Sequence, residues 1–164
     1  MPNAIPITND AQLLAAIKFD MTEVIENVAD WLVKRIQESI MNNVYDVPEG
    51  DYYQRLGMNG GFLGAWEQEA TQFVGNYISV FVGMNPALMT YNADEHQHGN
   101  SVEDRREYMD TYIAEGTTGS YDFGGNAAMK RDYWTEIIRV VESGELDGIL
   151  EKFMTAKGIV WRRI

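Results

Sequence analysis

The chain contains no cysteine. This excludes a disulfide framework, a thiolate zinc site and a cysteine nucleophile, and it fits a protein that folds in a reducing compartment. Histidine is nearly absent: His96 and His98 are the only two. Positive charge is scarce, with 13 Lys and Arg against 25 Asp and Glu, for a net charge of −12. A non-specific grip on nucleic acid needs clustered Lys and Arg to displace counterions from phosphates, so this balance argues against one. It also argues against adhesion to anionic membranes. An acidic surface keeps a protein soluble and can line a path that nucleic acid passes without sticking. The N-terminal residues MPNAIPITND have neither a basic stretch nor an apolar core, so no secretory signal is visible. Residues Ala70 to Ala93 carry no formal charge. Gln72, Asn76, Ser79, Asn85, Pro86 and two glycines within them make a poor transmembrane helix, and the chain reads as soluble.

At 164 residues, 45% hydrophobic and 23% charged, the chain has enough material for one well-packed core and too little for two. A single domain over 1–164 is expected. Residues 1–9, with two prolines and little periodicity, read as a flexible arm that orders on contact with a partner. From about Asp10 to Asn43 the pattern is helical. Leu14, Ile17, Met21, Val24, Val28 and Trp31 recur at intervals of three and four, and Ile25, Leu32, Ile36 and Ile40 widen the stripe. Asp20 and Glu23 resemble a capping box, where the helix either begins or restarts. Asn42 and Asn43, poor helix formers, mark its end.

Val44 to Trp66, VYDVPEGDYYQRLGMNGGFLGAW, is too aromatic for a solvated connector, so it is expected to lie against its own domain or another subunit. Phe62 to Val74 and Tyr77 to Met84 read as two strands around Gly75–Asn76, a pair suited to a two-residue hairpin turn. Ile78, Val80 and Val82 point one way, and Tyr77, Ser79 and Phe81 the other. Both faces are largely apolar, so either helices cover each side or one face is kept for another subunit. Tyr91 to Asn100 is a polar loop. Ser101 can cap a helix from Val102 to about Glu115, with Glu103 and Asp104 in its first turn. Gly116 to Gly125 is a loop. The last helical segment starts around Met129, its apolar side marked by Tyr133, Ile137 and Val140–Val141. Gly144 interrupts it, and Leu146 to Ala156 forms a further helical piece. The fold class expected is α+β: a long N-terminal helix and C-terminal helices packed on a small, mainly antiparallel sheet with a central hairpin.

Motifs for chemistry are weak. Asp94, His96 and His98 would fall on one side of an extended segment and are plausible metal ligands. A solvated loop tip explains the same residues, and no physiological metal or other cofactor is expected. Glu103, Glu107 and Asp110 share one helical face, but nothing suggests the burial that would split their pKa values. Neither glycine-rich stretch follows the phosphate-cradle order, and Ser39, Ser79, Ser101, Ser120 and Ser143 are not in a nucleophile elbow. No catalytic residue is assigned, and the chain is not expected to be an enzyme. Aromatic residues and Arg are enriched at protein interfaces. The residues expected at a subunit contact are therefore Tyr52, Tyr53, Arg55, Phe62, Trp66, Tyr77, Ser79 and Phe81.

The order of elements is similar to a known family. A long helix leads to Tyr52-Tyr53-Gln54-Arg55, then to Asn59-Gly60-Gly61-Phe62-Leu63, a hairpin through Gly75-Asn76, Tyr112-Ile113-Ala114-Glu115-Gly116-Thr117 and an aromatic-led C-terminal helix. From about residue 20 onward this resembles the neck or tail-completion proteins that join head to tail in tailed bacteriophages. Leu56-Gly57-Met58 stands where that family usually has a Thr-Gly step. Met129-Lys130-Arg131-Asp132 replaces its Pro-Phe-containing lead-in to the last helix. The resemblance implies a virion structural protein, assembled in the host cytoplasm, that forms a closed ring of identical copies. Its partners would be itself and adjoining head or tail proteins, with DNA passing nearby without specific binding and no membrane contact. A tail terminator or other minor virion protein is a related possibility. A small metal- or carboxylate-dependent hydrolase and a peptide-docking adaptor are the rival classes.

Overall fold

A computed structural model describes residues 9–45, 58–75, 77–90, 109–115 and 132–160. The fold is α+β, with a long N-terminal helix, two C-terminal helices and a small antiparallel hairpin region. The first helix, α1 (Asp10–Ile40), starts one residue after Asn9, whose Oδ1 accepts from the Gln12 N–H at 2.9 Å. That is the ordinary side-chain cap for an orphan N–H of the first turn. No restart occurs at Asp20, and the helix runs unbroken past it. It does not stop at Asn42–Asn43 either, because Met41–Tyr45 add one wider π-helical turn. Asn43 stays within this turn by donating its amide to the Ser39 carbonyl at 2.9 Å and to Ser39 Oγ at 3.1 Å.

The hairpin is built differently from two continuous strands. Phe62–Ala65 form a 3-10 turn, not strand. The Leu63 carbonyl accepts from Gln37 Nε2, and the Leu63 N–H donates to the Tyr45 hydroxyl, both at 3.3 Å. These backbone groups are thus engaged by the first helix and its π turn rather than by a ladder partner. The chain also passes close to itself here: a Cβ on Gly64 would lie 2.5 Å from the Met58 carbonyl oxygen. Beyond this turn, β1 (Trp66–Gln68) pairs antiparallel with β4 (Val82–Met84), and β2 (Gln72–Val74) with β3 (Tyr77–Ser79). Gln68 lies opposite Val82 and Gln72 opposite Ser79. Three residues therefore separate the paired positions on the first arm and two on the second. The extra residue is a bulge, bridged by the Glu69 N–H donating to the Phe81 carbonyl at 2.8 Å.

The bulge shifts the alternation on the first arm. Trp66 and Gln68 face the domain before it, and Phe73 does so after it. One face of the hairpin then lies along α1 toward its N-terminus. Gln68 Nε2 donates to Asp30 at 2.9 Å, Thr71 Oγ1 to Glu26 at 2.9 Å, and Lys18 Nζ sits 5.6 Å from the Phe73 ring centre.

Among the described residues, α2 (Met109–Glu115), α3 (Trp134–Glu142) and α4 (Glu145–Ala156) complete the fold. Asp132 caps α3 through the Thr135 N–H at 2.9 Å and the Thr135 hydroxyl at 2.7 Å. Gly144, at φ 81°, makes the turn into α4. That left-handed conformation is open to glycine at little steric cost.

The core joins Ile36, Ile40 and Val44 to Phe62, Leu63, Trp66, Tyr133 and Ile137. Four rings meet in it. Phe62 lies edge-on to Trp66 at 5.9 Å and to Tyr133 at 5.6 Å, and Trp66 lies edge-on to Tyr133 at 6.1 Å and to Trp134 at 5.4 Å. Edge-to-face pairs of this kind add about 0.5–1.5 kcal/mol each beyond their burial. Ser39 Oγ donates to the Tyr133 carbonyl at 2.8 Å, tying α1 to the start of α3.

The Tyr133 side chain is fully buried, and among the described residues its hydroxyl makes no hydrogen bond of standard geometry, the Trp134 side chain beside it acting only as a weak donor. Burial pushes the phenol well above the usual tyrosine range, and the negative charge of Asp110 adds to that. An unfolded tyrosine ionises near pH 10, whereas the folded one resists ionisation. Tyr133 therefore leaves stability intact below about pH 10 and removes it as pH rises above that value. Tyr133→Phe should flatten this alkaline loss in denaturant titrations. At neutral pH it should leave stability unchanged or raise it by up to about 1–3 kcal/mol, since a weakly bonded buried hydroxyl is removed.

Candidate interaction surface

The helix α1 outruns the helices packed on it. Its 31 residues span about 46 Å and the 12 of α4 about 18 Å at the rise of an α-helix. The two are antiparallel, with ion pairs at both ends of the overlap. Arg35 lies 3.8 Å from Glu145 at the start of α4, and Lys157, just past its end, pairs with Glu23. Arg35 also binds Glu38 at 2.7 Å and faces Glu136 of α3 at 3.7 Å. The Glu38 hydrogen bond raises the guanidinium pKa further, with burial acting against it. Each pair is partly exposed, so each contributes at most about 1 kcal/mol. Their effect is to set the register of α3 and α4 against α1.

This register leaves the part of α1 before Glu23 beyond the reach of α4. The apolar stripe continues there uncovered: Leu14 is 55% exposed and Ile17 49%, with Leu13 and Phe19 exposed beside them. Among the described residues, the tip of the hairpin accompanies this segment, through Lys18 and Phe73. The hairpin's opposite face is also open. Tyr77 is 78% exposed and Phe81 62%, and Val74 and Ser79 are exposed as well. The Phe81 ring lies over Gly83, where any Cβ would collide with it.

The residues expected at a subunit contact therefore divide. Tyr77, Ser79 and Phe81 form one exposed face. Phe62 and Trp66, 6% and 4% exposed, lie in the domain's own core instead. Their partner rings, Tyr133 and Trp134, come from the other end of the chain. Tyr52, Tyr53 and Arg55, and the candidate ligands Asp94, His96 and His98, lie outside the described residues, as do Glu103 and Glu107. Asp110 accepts from the Thr111 N–H at 2.7 Å. Among the described residues no group of three or more His, Asp or Glu could hold a metal ion, and no helix is long and apolar enough to cross a membrane. The α1 ridge of Leu13, Leu14 and Ile17 was not expected at the surface. Its signal was the mismatch between one very long stripe and the short helical pieces that follow.

No protein-family model, curated protein or solved structure matches this chain.

The division has a direct test in denaturant unfolding of the dispersed subunit. Trp66→Ala should cost about 3–5 kcal/mol, the usual loss for a large core aromatic. Tyr77→Ala should stay within about 0.5 kcal/mol, as exposed substitutions do.

Proposed function

We propose that this chain is a non-enzymatic structural protein of the head–tail junction of a tailed bacteriophage, a neck or tail-completion component. In this reading identical copies close into a ring around the DNA channel and contact adjoining head and tail proteins. The observation that carries it is the hairpin: one face is engaged along α1, while Tyr77 and Phe81 are presented outward. An exposed apolar face of this kind marks an interaction surface more often than an idle one. The charge supports the same reading. A wall made from a chain of net charge −12 repels phosphates, so DNA passes without being held. The protein would assemble in the host cytoplasm and reside in the virion.

Light scattering and negative-stain imaging of the purified chain should show closed rings of uniform copy number. A monomer at the highest attainable concentration, with no ring in assembled particles, would overturn the proposal. Added salt should strengthen the ring. Screening relieves repulsion between acidic copies, whereas contacts between uncharged surfaces lose nothing. Dissociation as salt rises from about 0.05 to 0.5 M, where the Debye length falls well below 10 Å, would show that ion pairs hold the copies together instead.

A further inference from the structure

A ring of identical copies needs two different surfaces on each subunit, because a patch that pairs with itself stops at two copies. The described residues expose several apolar groups, Ile138 and Val141 of α3 among them, and two of the patches differ in shape. One is the ridge of Leu13, Leu14 and Ile17 on the projecting part of α1. The other is the hairpin's outer face, with Val74, Tyr77 and Phe81. We infer that, within the ring proposed above, the α1 ridge of one copy lies across the outer hairpin face of the next.

Three observations favour a second copy as the occupant. The first is charge. Leu13 to Ile17 reads LLAAI, and Ala70 to Ala93 has no charged residue, in a chain of net charge −12. Two such chains repel over most of their surfaces, and the ridge and the face can meet without opposing like charges. The second is area. Six side chains of this size, between 46% and 78% exposed, present roughly 600–800 Å² together. That reaches the lower end of the apolar share, about 700–1,200 Å², of a standard interface, which buries ~1,200–2,000 Å² and is ~60% apolar. The third is shape. A helix already lies along the inner face of this hairpin, and a neighbour's helix on the outer face would place the hairpin between two helices, the arrangement that suits a sheet with two apolar faces.

The absence of native cysteine makes the contact directly testable. Ile17→Cys and Tyr77→Cys chains are prepared separately, mixed under conditions that form the ring, and oxidised. A disulfide requires Cα atoms within ~7 Å, so Ile17→Cys should be replaced by Leu14→Cys or Leu13→Cys in parallel to scan the ridge. The expected product is a mixed dimer with one ridge cysteine joined to the face cysteine, identified by peptide mass. Only ridge-to-ridge or face-to-face products, or no cross-link from any of the three ridge positions, would overturn the pairing.

A second measurement uses charge. Leu14→Asp with Ile17→Asp, and separately Tyr77→Asp with Phe81→Asp, should each abolish the ring while leaving the helical circular dichroism intact. Mixing the two should give a species of two chains, since one intact ridge still meets one intact face. A ring that survives either pair of substitutions would overturn the inference. If unsubstituted chains form rings but neither cross-linking nor mixing shows the ridge–face contact, only the pairing fails. If they form no ring, the proposed function fails with it.

Discussion

The structure depends on a helix that is longer than its own domain can cover. Most of the other described elements take their position from α1 through a contact at a specific level. The 3-10 turn is held through Gln37, the π turn and α3 through Ser39, and α4 through Arg35 and Glu23. The hairpin is aligned at Asp30, Glu26 and Lys18. Most of these polar links are partly exposed and individually weak. They specify register, while the aromatic cluster and the aliphatic residues around it supply the favourable burial.

Burial and polarity conflict at one place in that cluster. The Trp66 Nε1 and the Tyr133 hydroxyl are both buried and, among the described residues, make no hydrogen bond of standard geometry. Each costs free energy that an apolar ring would not. Ring packing must therefore outweigh that cost, and the edge-on geometry around Phe62 and Trp66 is consistent with it. The same residues show why an aromatic segment is ambiguous in sequence. Tyr and Trp are favoured both in cores and at interfaces, and what separates the two is whether a ring from a distant part of the chain arrives to cover them.

Much of the fold was legible because its signals are local. The period of α1, the reversal after Val74 at Gly75, the alternation of Ile78 and Val80 against Tyr77 and Ser79, and the break at Gly144 each follow from a few adjacent residues. The bulge was not legible, because Glu67-Gln68-Glu69-Ala70-Thr71 has no apolar alternation to reveal a shift in parity. Phe62–Ala65 looked like a strand because its apolar run does not show that Gln37 and Tyr45 claim the Leu63 backbone. Of the expected contact residues, Tyr77, Ser79 and Phe81 are exposed because their alternation was read correctly. Phe62 and Trp66 were misplaced because their partners lie far along the chain.

The bulge also bears on assembly. Paired in regular register without the bulge, the same sequence would carry the parity of β1 through β2, turning Phe73 outward and Gln72 and Val74 toward α1. The inserted residue keeps Phe73 under Lys18 and leaves Val74 on the same side as Tyr77 and Phe81. A two-stranded hairpin is marginal by itself in water, so the inner contacts with α1 are what hold this outer face in shape. The projecting part of α1 thus has two roles carried largely by different residues. Lys18 and Glu26 contact its own hairpin, while Leu13 and Ile17 lie round the helix from that row and Leu14, one turn before Lys18, sits at its edge. A helix that supports a sheet face with one side and offers an apolar ridge on another meets the geometric requirement for head-to-tail contact between identical subunits.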